Sequence, residues 1–445
     1  MSLRLQIQFL FLLLFPLFLF SQSLSSSPDV IAGTNLSTGS ISNTISGLSF
    51  HLKSAPANLN VYFNGNLIRP LSSSNELRHY QIEGSGSLSF RSPGYVSLDY
   101  DIGALPLTND QNQNNFLQIK LELENGRLQN SGRYVTGIQP KSAYFTPDGS
   151  RLIVPLLGER GIDVFRVVRT GFIYSLIFER RLRPPGGNAA GFVEAFMDLN
   201  RREIWVSNMT ENRVYIFDMD SLEFKTSMST GGIFPKVIVQ NPEGNLTLVS
   251  NWVTHDISIF DSDTKELLGR IPVGGIPRGM AFSPDGLSLY AAIYDAPVIA
   301  VVDMAEGSLR STYRLYEGVG AARHIIYNDG HLYVSDMYRG TVNIVDAHSG
   351  VLLASRRIGP NINTIVLSPD GDHIFASSRG RNNPQDYTRP GPDLGALYML
   401  RSDDLSLVER VWGGNQPTGL AVSPDGALMV FSNFLDGNLE LYVIE

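Results

Sequence analysis

Met280-Ala281-Phe282-Ser283-Pro284-Asp285-Gly286-Leu287-Ser288-Leu289-Tyr290-Ala291-Ala292 reads as two apolar strands joined by a tight turn. Proline presets φ for the second turn position, aspartate bonds nearby backbone, and glycine supplies the left-handed φ that closes the turn. The Ser-Pro-Asp-Gly tetrapeptide recurs at 368–371 and 423–426, with Thr146-Pro147-Asp148-Gly149 as a near copy. Looser copies stand at Asn241-Pro242-Glu243-Gly244 and Asn328-Asp329-Gly330, and a degenerate one at Asp198-Leu199-Asn200-Arg201. Copies spaced about 40 to 55 residues apart match the period of a four-stranded propeller blade.

Outward from each turn the pattern repeats. A third apolar run ends at an aspartate, as in Val214-Tyr215-Ile216-Phe217-Asp218, Ile257-Ser258-Ile259-Phe260-Asp261 and Val342-Asn343-Ile344-Val345-Asp346, and a weaker fourth strand follows. These are short runs rich in β-branched and aromatic residues, without sustained helical periodicity. Seven turns predict an all-β fold, a seven-bladed β-propeller over 116–445. The last blade reaches Leu441-Tyr442-Val443-Ile444-Glu445 after three strands, so its missing outer strand is expected from Leu121 to Val135, closing the ring.

Ile271-Pro272-Val273-Gly274-Gly275-Ile276-Pro277-Arg278-Gly279-Met280-Ala281-Phe282 before the turn, and Gly414-Asn415-Gln416-Pro417-Thr418-Gly419-Leu420-Ala421-Val422 in the last blade, resemble the YVTN-type propeller repeat of surface-layer and periplasmic proteins. The resemblance covers roughly 115–445 and implies the fold; related propellers serve as scaffolds, binding proteins and lactonases, so it does not choose among those functions. The Gly-His and Trp-Asp pairs of WD40 blades are missing.

Residues 28–107 lack the repeat. Asn60-Val61-Tyr62-Phe63-Asn64-Gly65 and Ser87-Leu88-Ser89-Phe90-Arg91-Ser92-Pro93-Gly94-Tyr95 alternate and turn, predicting a small β-sandwich similar to the PEGA-type modules of envelope proteins. The polar stretch 108–115 is expected to be a linker. At the N-terminus, Arg4 precedes the apolar run Phe9 to Phe20 and the small polar residues after it, the pattern of a signal peptide over 1–23. Export to the periplasm or cell surface follows from that reading, with no membrane span left after cleavage. The full sequence has no cysteine, which excludes disulfides, thiol catalysis and a lipidated N-terminal cysteine. A net charge of −8 argues against a nucleic-acid partner.

Aligning the repeats places Lys141, Val193, Lys236, Arg278, Arg323, Asn363 and Thr418 at equivalent positions where each innermost strand begins. Four are basic, which concentrates positive charge at one channel mouth and suits an anion. The plainer reading is a solvated rim whose cations pair with neighbouring carboxylates. His324 stands beside Arg323, and Glu194 is the one acidic residue nearby. A second set, Asn208, Asn251, Asp336, Arg379 and Asn433, each follows a serine and is expected to cap strands. A third candidate is the irregular stretch between Ser377 and Leu394 in blade six, where Arg379, Arg381, Tyr387 and Arg389 offer stacking and bidentate contacts. No metal-ligand spacing, catalytic set or cofactor motif is read in the chain. These residues predict a monomeric, non-enzymatic scaffold that binds a protein, a glycan or a small anion. The alternative is a lactonase-like hydrolase built at the channel mouth around His324 or Glu194.

Overall fold

In each Ser-Pro-Asp-Gly turn the side chains stitch the hairpin from within. Ser283 Oγ donates to Asp285 Oδ1 at 2.5 Å, the Ser288 N–H donates back to Ser283 Oγ at 2.9 Å, and the Leu287 N–H reaches Asp285 Oδ1 at 3.0 Å. Gly286 has φ 70°, the left-handed value the turn requires. The same bonds recur at Ser368 and Ser423, and Thr146 reproduces them with its own hydroxyl. At the far end of the third strand, Asp218, Asp261 and Asp346 accept N–H groups two or three residues on, which folds the next turn.

The computed structural model describes residues 48–445 apart from 56–58, 75–76, 93–96, 103–104, 106–107, 110–114, 121–125, 172 and 187–188. The expected signal peptide lies outside the described residues. Seven four-stranded antiparallel sheets follow one another along the chain as blades. Their innermost strands are β11 (Tyr144–Phe145), β15 (Phe192–Asp198), β19 (Pro235–Gln240), β23 (Pro277–Phe282), β27 (Ala322–Asn328), β31 (Ile362–Leu367) and β35 (Pro417–Val422). The ring closes as expected: β10 (Leu128–Val135) pairs antiparallel with β37 (Asn438–Ile444), supplying the outer strand of blade seven. Apolar clusters fill the spaces between neighbouring blades, for example Val154, Phe165, Val430 and Leu441 between blades one and seven.

Two further sheets form the N-terminal module. One has β1 (Leu48–Ala55) paired in parallel with β9 (Asn115–Lys120), and the other contains β2 (Asn60–Phe63) and β6 (Ser87–Arg91). Phe50, Leu52, Val61, Leu88, Phe90 and Leu117 share its core. The module therefore extends past 107. Thr108–Asn109 and Asn115–Lys120, read from composition as linker and propeller start, are strands of its five-stranded sheet. Alternation in Asn115-Phe116-Leu117-Gln118-Ile119-Lys120 suits either unit, and the parallel pairing with β1 decides between them.

The module is attached to blade six. Leu67 N–H donates to Pro392 O at 3.1 Å, Leu394 N–H to the Tyr62 hydroxyl at 2.8 Å, and Arg381 to Gly65 O at 2.9 Å. The Arg91 guanidinium sits over both Tyr62 and Trp412, 4.7 and 4.3 Å from their ring centres.

Candidate functional site

A backbone bulge recurs on the innermost strands. Pairing with the second strand shifts register between Phe192 and Ala195, Pro235 and Ile238, Pro277 and Met280, Ala322 and His324, Ile362 and Ile365, and Pro417 and Leu420. Val193, Lys236, Arg278, Arg323, Asn363 and Thr418 all lie inside these bulges. A bulge re-aims the side chains it carries, so the equivalent positions of the repeat converge on the axis.

Serines hold this ring from behind. Ser207, Ser250, Ser335 and Ser377 each donate Oγ–H to the carbonyl of the ring residue in the next blade: Lys236 at 2.7 Å, Arg278 at 3.0 Å, Asn363 at 3.1 Å and Thr418 at 3.1 Å. Blade four has Ala292 at this place. There Gly279 lets the strands approach, since a Cβ on it would lie 2.9 Å from Arg323 O and 2.8 Å from His324 Cα. Ser207, Ser250 and Ser335 were legible as residues directly preceding members of the second candidate set, and Ser377 lies two before Arg379, but their function as latches between blades was not legible.

That second set caps strands. Asn208 Oδ1 accepts from Thr210 and Glu211 N–H at 3.1 and 3.0 Å, Asp336 from Ala321 N–H at 2.9 Å, and Asn433 from Gly414 N–H at 2.7 Å. Asn251 donates to Asp256 and Ser258 at 2.8 and 2.7 Å. Arg379 does not belong with them. Ser378 lies opposite Ile362 where Asn433 lies opposite Pro417, so Arg379 stands one residue further on, at the channel mouth. Its equivalents are Met209, Trp252, Tyr294, Met337 and Phe434. Each donates its N–H to the carbonyl of a residue shortly before an innermost strand, at 2.8 to 3.2 Å. Three of those acceptors, Phe234, Asn361 and Gln416, have φ between 53° and 59°, a left-handed conformation that costs energy in non-glycine residues.

The ring is not a solvated rim. Lys236, Arg278 and Arg323 are only 5, 6 and 5% exposed. Glu194, in the bulge of β15, is the carboxylate they share. Its Oε1 pairs with Arg278 at 2.8 Å and its Oε2 accepts the Tyr144 hydroxyl at 2.8 Å. Burial opposes its charge, yet Arg278, Arg323, Lys141 and Tyr144 outweigh that and hold the carboxyl below its usual range. Glu194 faces Lys141, Lys236, Arg278 and Arg323, and Arg379 adjoins Lys141 and Arg323, so five basic side chains gather around one carboxylate among the described residues. Burial, then Arg278, pushes Arg323 down to about 9, still charged at neutral pH. Burial and the neighbouring guanidinium groups hold both Lys141 and Lys236 well below the ordinary lysine value.

Several donors here have nothing to bond. Arg278 Nη1, Arg379 Nε and Asn363 Nδ2 are buried without a partner among the described residues, and Arg323 makes no side-chain hydrogen bond to them. Buried donors are normally satisfied. His324 Nδ1 is likewise unpartnered, and burial, with Arg323, lowers that imidazole to about 4, so it is neutral. Rings surround the cations: Lys141 lies 5.2 Å from Phe434, Arg379 5.5 Å from Phe434 and 5.7 Å from Tyr387, and Lys236 4.8 Å from Trp252.

The blade-six stretch splits between two tasks. Arg379 and Tyr387 face the channel mouth, where Arg379 bonds Gln416 Oε1 and Gln416 Nε2 bonds Tyr387 O at 2.6 Å. Arg381 is clamped by Asp393 at 2.6 and 2.9 Å and serves the N-terminal module. Arg389 is exposed and lies 3.8 Å from Asp386. Among the described residues no three His, Asp or Glu side chains converge as a metal site would require, and no helix is long and apolar enough to cross a membrane.

No family model matches the chain. It is 32% identical over 375 residues to "Antigen Lp49" of Leptospira interrogans serogroup Icterohaemorrhagiae serovar copenhageni (strain Fiocruz L1-130), an alignment spanning 82% of this chain and 78% of that protein. Among solved structures it is similar to the hydrazine synthase of Kuenenia stuttgartiensis, with TM-score 0.57 and 17% identity over 69% of this chain and 96% of that one. That likeness concerns the fold alone.

Proposed function

Starting from a chain that belongs to the family of the leptospiral Antigen Lp49, we propose that it is an exported cell-envelope propeller that binds a small oxyanion at its channel mouth. The observation that carries this reading is the excess of basic side chains over carboxylate: half-buried Lys141 and buried Lys236, Arg278, Arg323 and Arg379 stand around Glu194, the one carboxylate there among the described residues, with guanidinium N–H groups left over. Like charges held together out of water repel strongly. A carboxylate, phosphate or sulfate placed among them would satisfy the spare donors and balance the charge.

Export rests on the apolar N-terminal run and accords with a relative described as an antigen. The repeat motifs support a YVTN-type propeller, and the Tyr62 and Phe90 strands support a PEGA-like module whose place is to present the propeller. A glycan or protein partner would engage the same face through Arg389 and the exposed part of the blade-six stretch. Catalysis of the lactonase kind has less support, because Glu194 is engaged by Arg278 and Tyr144, and among the described residues no carboxylate is bonded to His324.

The test is a calorimetric titration of the mature chain with phosphate, sulfate, acetate and pyruvate, alongside melting curves. A ligand that binds only the folded chain raises its melting temperature by mass action. Binding of at least one anion, lost in an Arg278→Ala/Arg323→Ala variant that still folds, is the expected result. Equal binding by wild type and variant, or none by either, would sink the reading.

A further inference from the structure

Of the 35 lysines and arginines in the full sequence only six are lysines: Lys53, Lys120, Lys141, Lys225, Lys236 and Lys265. Lys225 and Lys265 share Glu203, at 2.6 and 2.7 Å. Lys141 and Lys236 stand in the channel ring, and neither has a carboxylate within ion-pair distance among the described residues. In a chain that otherwise favours arginine, lysine occupies two places where the planar, always-charged guanidinium would grip an oxyanion better. Arginine does fill the equivalent places in the next two blades after Lys236, as Arg278 and Arg323.

Lys236 is the sharper case. Its Nζ donates to Met209 Sδ at 3.0 Å and lies 4.8 Å from the Trp252 ring and 5.9 Å from that of Phe234. A thioether and two rings replace water poorly around an ammonium, and Arg278 on the neighbouring blade disfavours a second positive charge. Apolar surroundings plus an adjacent cation are the conditions under which a lysine amine sheds its proton and becomes a nucleophile.

The geometry points to Lys236 as an amine that captures a 2-oxo acid reversibly as an imine, while Arg278 and Arg323 hold the acid's carboxylate. This inference rests on the anion-binding reading above. The lone pair of Nζ adds to the carbonyl carbon, and the resulting carbinolamine loses its hydroxyl. The carbonyl oxygen leaves as water with both amine hydrogens, and C=N replaces C=O. No oxidant or reductant takes part.

The experiment incubates the mature chain with pyruvate and sodium cyanoborohydride, which reduces an imine to a stable amine, and locates the adduct by peptide mass mapping. One adduct per chain, on Lys236, is expected, absent in Lys236→Arg and Lys236→Met and formed roughly tenfold more slowly in Arg278→Ala. Acetone, which lacks the carboxylate, should label far more slowly. Labelling spread over Lys225 and Lys265, or confined to Lys141, overturns the assignment. If calorimetry shows pyruvate bound while Lys236 stays unmodified, the imine falls and the anion site stands; if no anion binds, the underlying reading falls instead. Mapping of the wild-type chain alone decides the first point, so a variant that fails to fold does not obscure it.

Discussion

Glu203 and Glu194 stand on neighbouring strands of blade two, yet their surroundings treat charge in opposite ways. Glu203 opens the second strand at the end remote from the channel mouth. Its buried carboxylate takes Lys225, Lys265 and the Trp205 indole N–H at 2.6, 2.7 and 3.0 Å, and Lys265 also covers the Trp205 ring at 4.7 Å. Every strong group there has its partner, and both lysines reach it from the outer strand and the next blade. Glu194 has one arginine and one phenol, while Arg323, Lys141 and Lys236 crowd in behind them. A satisfied cluster ties blades together. An unsatisfied one, held in place by bulges and serine latches, stores repulsion that a ligand can relieve. On the proposed anion-binding reading, the contrast would separate structural charge from functional charge within one domain.

The largest effect should come from breaking the satisfied cluster. Glu203→Ala removes the acceptor of Lys265 and of the Trp205 indole N–H, while Lys225, 41% exposed, regains water, so the loss should be about 1.5 to 3 kcal/mol. Urea denaturation should register that loss while anion affinity stays unchanged; a fall in affinity would mean the two clusters are coupled. At the other cluster the signs reverse. Arg278→Ala should weaken anion binding roughly tenfold to a hundredfold, as expected for charge-assisted hydrogen bonds, with a smaller change in unfolding free energy. Glu194→Gln should tighten anion binding and lower the melting temperature of the anion-free chain, because the guanidinium groups lose the carboxylate that faces them. Weaker binding in that variant would instead place Glu194 in contact with the ligand.

The pH dependence sharpens the same contrast. Lys141 and Lys236 have folded-state values well below 10.5, whereas the unfolded chain keeps those protons up to 10.5. Between the two values the unfolded chain binds more protons, so stability rises as pH rises through that window. Melting curves taken as pH rises toward the ordinary lysine value should therefore climb more steeply in the wild type than in Lys141→Met/Lys236→Met. Parallel curves would mean that the lysines keep their protons. The smallest effect is at a latch: Ser250→Ala removes one hydrogen bond to Arg278 O and should cost about 1 kcal/mol, read by denaturation and by a modest loss of affinity.

Much of the propeller was determined by sequence alone. The Ser-Pro-Asp-Gly turns, the aspartates that end third strands, the number of blades and the closure by β10 all follow from bonds made within a few residues or from the leftover strand of the last blade. Repeat alignment also placed Lys141, Lys236, Arg278 and Arg323 at equivalent positions, because a repeat copies its backbone along with its turn. Only the tertiary structure decided what those positions mean. Burial of the ring, the single carboxylate that faces its basic side chains among the described residues, the move of Arg379 into the mouth and the division of the blade-six stretch between channel and N-terminal module depend on contacts between distant residues. Arg278 meets Glu194 across 84 residues and Tyr62 meets Leu394 across 332. Turn chemistry is local and repeats visibly, whereas convergence on the axis exists only once seven blades have closed.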